Sequence, residues 1–261
     1  MTNPIHPLTL DLSGRTAVVT GGSGELGRVI CRTLARCGAS VAVHYLRNRV
    51  AADQVVESIH ARGGRAESFS ADVGELEQVI QLRKDVEAWN GPVGILVNNA
   101  VIQYDWKSVL EQDPADYESQ FRSCVLQNVH MAKAFVPPMI ERGLGGRVIA
   151  INTECAMQND AFQSAYVSGK RGMDGVLKVL AKEIGPHQIT VNQVAPGWTI
   201  SDKIRDRDDD PQAGYIQSVP LARAGTDQEI ANVVAFLASD LASFITGAFI
   251  PVCGGNVMTP I

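Results

Sequence analysis

Short apolar, β-branched runs alternate along this chain with longer amphipathic stretches, and that alternation restricts the fold to strands joined by crossover helices. Thr16–Thr20 precedes Glu25–Cys37, Val41–Tyr45 precedes Val50–Arg62, Glu67–Ala71 precedes Glu75–Trp89, and Ile95–Asn98 precedes a long helical stretch over Asp113–Arg142. Arg147–Asn152, Ile189–Val194 and Ala248–Val252 read as further strands, with helices over Ala165–Ile184 and Asp227–Leu237. Strands joined by connections of this length lie parallel. The pattern therefore predicts one doubly wound α/β domain over residues 1–261, a Rossmann-type seven-stranded parallel sheet with helices on both faces. Gly38 and the Gly63-Gly64 pair stand where helices should end, because glycine accepts the left-handed conformation that closes a C-terminus.

The pattern fails between Trp198 and Pro220, where Asp206-Arg207-Asp208-Asp209-Asp210-Pro211 cannot pack internally. A charged run is ordinarily a solvated face. Its place after the C-terminal end of a strand makes a substrate lid at about 198–220 the sharper expectation. The 23 Lys plus Arg stand against 28 Asp plus Glu, a net charge of −5. That balance argues against nucleic acid or an anionic membrane as partner and for small molecules or further copies of the chain. Cys31, Cys37, Cys124, Cys155 and Cys253 form no CxxC, and no window of 18 uncharged apolar residues occurs, so a cytoplasmic protein with reduced thiols is expected. His6, His44, His60, His130 and His187 share no metal-ligand spacing, and no catalytic metal is expected.

Directly after the first strand stands Thr20-Gly21-Gly22-Ser23-Gly24-Glu25-Leu26-Gly27, in which Gly22, Gly24 and Gly27 spell G-x-G-x-x-G at a strand-to-helix junction. Gly22 is expected to permit the tight turn, Gly24 to let the backbone approach a pyrophosphate, and Gly27 to let helix and strand pack closely. Which dinucleotide binds is decided at the end of the second strand, where a carboxylate would hold the adenosine ribose and a basic residue would accept a 2′-phosphate. The run Val43-His44-Tyr45-Leu46-Arg47-Asn48-Arg49 contains no acid. Tyr45 takes that place, with Arg28, Arg47 and Arg49 nearby, so NADP(H) is favoured over NAD(H).

Tyr166 and Lys170 form Y-x-x-x-K within a predicted helix, and this spacing puts both side chains on one face. A free tyrosine has a pKa of about 10, and a neighbouring ammonium stabilises its phenolate and brings it closer to working pH. Alone the motif arises often by chance. The strand ending just before Thr153, 13 residues ahead of Tyr166, adds a hydroxyl at the same sheet edge.

With these residues the chain resembles the short-chain dehydrogenase/reductase family, close to its β-ketoacyl reductase type, over nearly all its length. The likeness extends to Asp72-Val73, Asn98-Asn99-Ala100, Pro196-Gly197 and the ending Phe244-Ile245-Thr246-Gly247 through Gly254-Gly255. It implies that Tyr166 is the general acid or base, that Lys170 binds the nicotinamide ribose, and that the Thr153 hydroxyl polarises the substrate carbonyl. The implied cofactor cleft starts with Gly21, Gly22, Ser23, Gly24, Glu25 and Leu26 and continues through Tyr45, Arg47 and Asn48. It is completed by Asp72 and Val73 at the adenine, by Asn99 and Ala100, and by Tyr166, Lys170, Pro196, Gly197 and Thr199 towards the nicotinamide.

Some positions depart from the family pattern. Thr153 replaces its catalytic serine, and Cys124 stands where an asparagine marks a helix irregularity whose carbonyl positions a proton-relay water. Asn128, one turn on, is a candidate to compensate. Glu25 takes the place of a glycine and must point away from the pyrophosphate, since like charges in contact would oppose binding. Val101 follows Asn98-Asn99-Ala100 where a glycine is usual, and Cys253 replaces a common aspartate.

The reading that results is an NADP(H)-dependent oxidoreductase moving hydride between nicotinamide and a ketone or secondary alcohol. Two alternatives stand beside it: a catalytically degenerate NADP(H)-binding protein acting as sensor or assembly partner, and a lyase or isomerase using Tyr166 as base. The resemblance implies a homotetramer or homodimer built through Asp113–Arg142 and Ala165–Ile184, although Val125, Val129, Met173 and Leu177 could equally face the protomer's own core.

Overall fold

The computed structural model describes residues 10–200 and 213–258. Strand β1 (Thr16–Val19) leads through the glycine turn into α1 (Glu25–Arg36), followed by β2 (Ser40–Tyr45), α2 (Arg49–His60), β3 (Arg65–Ser70), α3 (Leu76–Asn90) and β4 (Val93–Asn98). The second half runs α4 (Pro114–Gln120), α5 (Gln127–Arg142), β5 (Gly146–Ile151), α6 (Cys155–Gln158), α7 (Ser164–Ile184) and β6 (Ile189–Pro196). It closes with β7 (Thr199–Ile200), α8 (Ala213–Ser218), β8 (Gly225–Thr226), α9 (Asp227–Ala238) and β9 (Phe249–Val252). Seven strands pair in the order β3-β2-β1-β4-β5-β6-β9, and every pairing is parallel. The expected Rossmann-type sheet is therefore present.

Strand alternation divides the core into two layers. Val19, Val41, Val43, Ile95 and Val97 face α1, α2 and α9, where Ile30, Leu34, Val55, Ile230 and Val234 cover them. Val18, Ala42 and Leu96 point to the other side, against Val79 and Leu82 of α3, Phe135 and Met139 of α5, and Met173 and Leu177 of α7. The chain reverses its direction of strand addition between β1 and β4, and in such sheets the crevice for a ligand opens at that reversal, beyond the strands' C-terminal ends.

Most element ends fall within two residues of the sequence pattern because local chemistry sets them. Gly38 at φ +97° and Gly63 at φ +76° take the left-handed conformation after α1 and α2. The Asp113 side chain caps α4 by accepting from the Ala115 N–H at 2.9 Å. The long helix expected over Asp113–Arg142 is instead two α-helices joined by a π-helical turn, Phe121–Leu126. The π turn contains Cys124, where the family resemblance marks a helix irregularity, although the apolar spacing alone reads as one continuous helix. The pairing of β7 with β8, and helices α6 and α8, were not expected. Of the expected lid, residues 201–212 lie outside the described residues.

Val125, Met173 and Leu177 are buried inside the protomer, Val129 is half-buried, and Phe121 and Val179 are the exposed apolar side chains of these helices. Among the described residues no helix is long and apolar enough to cross a membrane. Helix α9 begins with a reciprocal cap: the Thr226 hydroxyl accepts from the Glu229 N–H at 3.2 Å while Glu229 accepts from the Thr226 N–H at 2.9 Å. Thr226→Ala should cost about 1 kcal/mol. In a chain of this size that corresponds to a melting temperature lower by about 2–4 °C, read by thermal denaturation.

Candidate active site

The turn after β1 departs from its expected division of labour. Gly21, at φ +62°, makes the left-handed turn. Gly22 has no positive φ and is instead required by packing, since a Cβ there would lie 3.0 Å from both Cys31 Sγ and Val43 Cγ1. A Cβ on Gly27 would collide with the Gly21 carbonyl, so this glycine lets α1 touch the turn. A Cβ on Gly24 would meet only the Gly21 carbonyl, at 3.2 Å, which leaves its outer side open to an anion at the N-terminus of α1. The residues present thus fit a pyrophosphate: an amide-lined cradle that a side chain would fill.

Three neighbouring strands brace this cradle. Thr20 Oγ1 accepts from the N–H groups of Asn99 and Ala100 at 2.9 and 3.0 Å, and Asn99 Nδ2 donates back to the Thr20 and Gly21 carbonyls at 3.0 and 3.2 Å. His44 accepts from the Gly21 N–H at Nδ1, 3.0 Å, and donates from Nε2 to the Ala71 carbonyl at 2.9 Å. That pair of bonds requires the neutral ring, and burial pushes its pKa down to match. The carboxylate of Glu25 is held by Arg28 at 2.7 Å. Further along the rim, the Asp72 carboxylate caps its own turn through the Gly74 N–H, the Val73 carbonyl contacts His130 Nδ1, and the Asn48 side chain caps α2. Tyr45 is half-buried, and Arg47 is exposed with no ion pair among the described residues.

Across the crevice, α7 carries Tyr166 and Lys170 on one face, with Lys170 Nζ 5.7 Å from the Tyr166 ring centre. Lys170 is 3% exposed, and its ammonium donates to the Ile151 carbonyl at 2.6 Å. An ammonium has three N–H donors, so this single protein acceptor leaves it able to engage a ribose diol. Thr153, just beyond β5, is buried; its Oγ1 accepts from the Cys155 N–H at 3.2 Å and its hydroxyl lies beside the Tyr166 phenol. Burial pushes the Tyr166 pKa up and outweighs the nearby Thr153 hydroxyl, while burial pulls Lys170 down. The expected downward pull on the tyrosine is therefore not the net effect in the protein alone. Cys155 is raised by burial too, which leaves its thiol unreactive.

Cys124 sits in the π-helical turn, fully buried. Its carbonyl accepts from Asn128 Nδ2 at 2.7 Å, and Asn128 Oδ1 in turn accepts from Asn98 Nδ2 at 2.7 Å. Position 128 thus supplies an amide beside the irregular turn. Pro196, Gly197 and Thr199 follow β6, where Gly197 packs under the Tyr215 hydroxyl so closely that any Cβ would collide with it.

Several residues of the site have no local signature. The Tyr104 hydroxyl accepts from the Tyr166 N–H at 2.7 Å, and the Trp106 ring stacks on the Tyr166 ring with centres 6.2 Å apart. Asn152 donates to Gln193 at 2.7 Å and accepts from the Thr153 N–H at 2.9 Å, fixing the Thr153 turn from below. Glu154, also buried, accepts from Asn256 at 3.1 Å. Only their position beside a motif residue could have singled out Asn152 and Glu154.

A family model described as enoyl-(acyl carrier protein) reductase matches residues 23–256. The chain is 36% identical over 244 residues to the 3-oxoacyl-[acyl-carrier-protein] reductase FabG of Staphylococcus epidermidis, covering 94% of this chain and 99% of that one. It is 32% identical over 250 residues to the FabG of Pseudomonas aeruginosa, 96% and 100% of the two chains, and 34% identical over 244 residues to nodulation protein G of Azospirillum brasilense, 94% and 98%. The chain belongs to the short-chain dehydrogenase/reductase family. It is an NADP(H)-dependent oxidoreductase acting on a ketone or secondary alcohol, and the degenerate-binder and lyase alternatives are not favoured.

Because the His44 pKa lies below its ordinary 6.5, the neutral ring's contribution to stability is complete above that pH and is lost as pH falls below it. Melting temperatures of the ligand-free protein should therefore drop between pH 6.5 and 5 more steeply in the wild type than in His44→Gln, whose amide accepts and donates without titrating; parallel curves would remove the assignment.

Proposed function

We propose that the enzyme reduces the 3-oxo group of an acyl thioester, the substrate class printed in the names of its FabG relatives. The observation that carries this reading is the convergence of the Thr153 hydroxyl and the Tyr166 phenol at one point of the sheet rim, backed by the Lys170 ammonium. When bound, the dinucleotide supplies the hydride for the carbonyl carbon. Thr153 orients and polarises the carbonyl oxygen, and Tyr166 delivers the proton that this oxygen takes up. Lys170, anchored by the Ile151 carbonyl, holds the nicotinamide ribose and supports the phenolate left after that transfer. Asn128, on the Cys124 carbonyl, keeps the helix behind the pair in its irregular form.

In this reading Gly21, Gly22, Ser23, Gly24 and Leu26 cradle the pyrophosphate, with Glu25 neutralised by Arg28. Asp72 and Val73 border the adenine, Asn99 and Ala100 line the cleft floor, and Pro196, Gly197 and Thr199 flank the nicotinamide. Arg47, beside Tyr45 and Asn48 at the end of β2, takes the 2′-phosphate. Self-association into a homodimer or homotetramer, supported by exposed Phe121 and Val179, and a cytoplasmic site of action, supported by five free thiols, complete the picture.

Tyr166→Phe should lower acetoacetyl-coenzyme A reduction by about 10²–10⁴-fold, the usual worth of a positioned general acid, while NADPH fluorescence titration still reports binding. Since burial raises the Tyr166 pKa, the acid stays loaded through neutral pH, and reduction should hold level there and decline only at alkaline pH. A charge-assisted contact is worth about 1.5–3 kcal/mol, so Arg47→Ala should weaken NADPH binding by about 10–100-fold and leave NADH binding unchanged. Equal losses for both dinucleotides would transfer the phosphate site elsewhere.

A further inference from the structure

Glu154 follows Thr153 directly and is 3% exposed, yet no cation figures among its partners. Its carboxylate accepts from the Asn256 amide at 3.1 Å and faces the Tyr215 phenol, while the nearby Cys253 thiol gives its proton to the Val257 carbonyl at 3.5 Å. Burial pushes its pKa up against these contacts, and the nearby Asp160 adds to the push. A buried carboxylate without a counter-ion costs stability that an apolar side chain of similar size would not. Departures of that kind from the usual rules of folding concentrate at functional positions.

What the carboxylate joins gives the function. The Tyr215 hydroxyl, which faces the Glu154 carboxylate, accepts from the Trp198 N–H at 2.9 Å. The two rings stand with centres 6.0 Å apart. Asn256 donates to Glu154 and accepts from Ser218 Oγ at 2.9 Å. The Glu154 N–H donates to the Pro196 carbonyl at 3.0 Å. One residue therefore ties the turn bearing Thr153 to the end of β6, to α8 and to the turn after β9.

We propose that Glu154 is a positioning residue for the carbonyl side of the reaction, its carboxylate fixing Trp198 and Tyr215 relative to Thr153 so that this wall holds the substrate's carbonyl at the two hydroxyls. It acts through Tyr215 and touches neither substrate nor dinucleotide. The proposal rests on the carbonyl-reducing reading for the place of the substrate, but the tie itself can be measured without turnover.

The decisive variants are Glu154→Gln, which turns one acceptor oxygen facing Asn256 and Tyr215 into an N–H donor, and Tyr215→Phe, which removes one hydroxyl. Both should raise the KM for acetoacetyl-coenzyme A at least tenfold, keep NADPH affinity within twofold, and speed hydrogen–deuterium exchange in peptides spanning residues 197–200, where the Trp198 amide loses its acceptor or its acceptor's anchor. The exchange arm reads the tie even in a protein that reduces neither acetoacetyl-coenzyme A nor ethyl acetoacetate, so failure to reduce either would count against the proposed reaction alone. Unchanged KM and exchange in both variants would overturn the proposal, and so would an equal loss of NADPH and substrate binding, the mark of a general structural role.

Discussion

The contact on which the site depends is between two pieces of backbone. Helix α1 can reach the turn after β1 only because Gly27 carries no Cβ to strike the Gly21 carbonyl. That approach aims the first amides of α1 into the crevice left by the reversal between β1 and β4. Everything else on the dinucleotide side is reinforcement. Thr20, Asn99 and His44 satisfy the turn's polar backbone from β4 and β2, so a loop that would otherwise be mobile is held in one shape before any ligand arrives. Such preorganisation removes an ordering cost from binding.

The opposite wall follows a different logic, in which burial makes charge expensive until a ligand shares it. Lys170 and Tyr166 are each pushed towards neutrality in the protein alone, the amine downwards and the phenol upwards. A tyrosine in that state is a loaded acid, suited to reduction, where a proton must be given up as negative charge develops on the substrate oxygen. In the proposed reaction the amine's value to the phenolate therefore grows once the phenol has given up its proton, and is small in the resting site. This is the pattern expected of groups complementary to a transition state rather than to a ground state.

How much of this could be read from the chain depends on whether the signal is local. Short apolar strands buried on both faces, a glycine at the end of α1, the Y-x-x-x-K spacing and the glycine turn are encoded within a few residues of where they act, and the sheet and the motif positions were legible. The consecutive glycines hid which one turns: G-x-G-x-x-G points to Gly22, yet Gly21 takes the positive φ and Gly22 is needed for packing against Cys31 and Val43. The π-helical turn at Phe121–Leu126 is not legible in the apolar spacing, and only the family resemblance at Cys124 marks an irregularity there. Tyr104, Glu154 and Tyr215 lie in irregular or very short segments and reach the site through tertiary contacts, which no spacing records.

Two replacements that look like losses on the page are accommodated by the geometry around them. A hydroxyl offers one donor and two acceptor positions. The Cys155 N–H occupies an acceptor position of Thr153, so its proton remains available to the phenol or, in the proposed reaction, to a substrate oxygen. At position 124 the thiol cannot do what an amide does, but the need is for a helix held out of α-helical register with a polar group at the distortion. Asn128 meets that need from the following turn, bonded to the Cys124 carbonyl on one side and to Asn98 on the other. The Asn98 side chain is itself buried, so this bridge between β4 and the irregular turn is shielded from water.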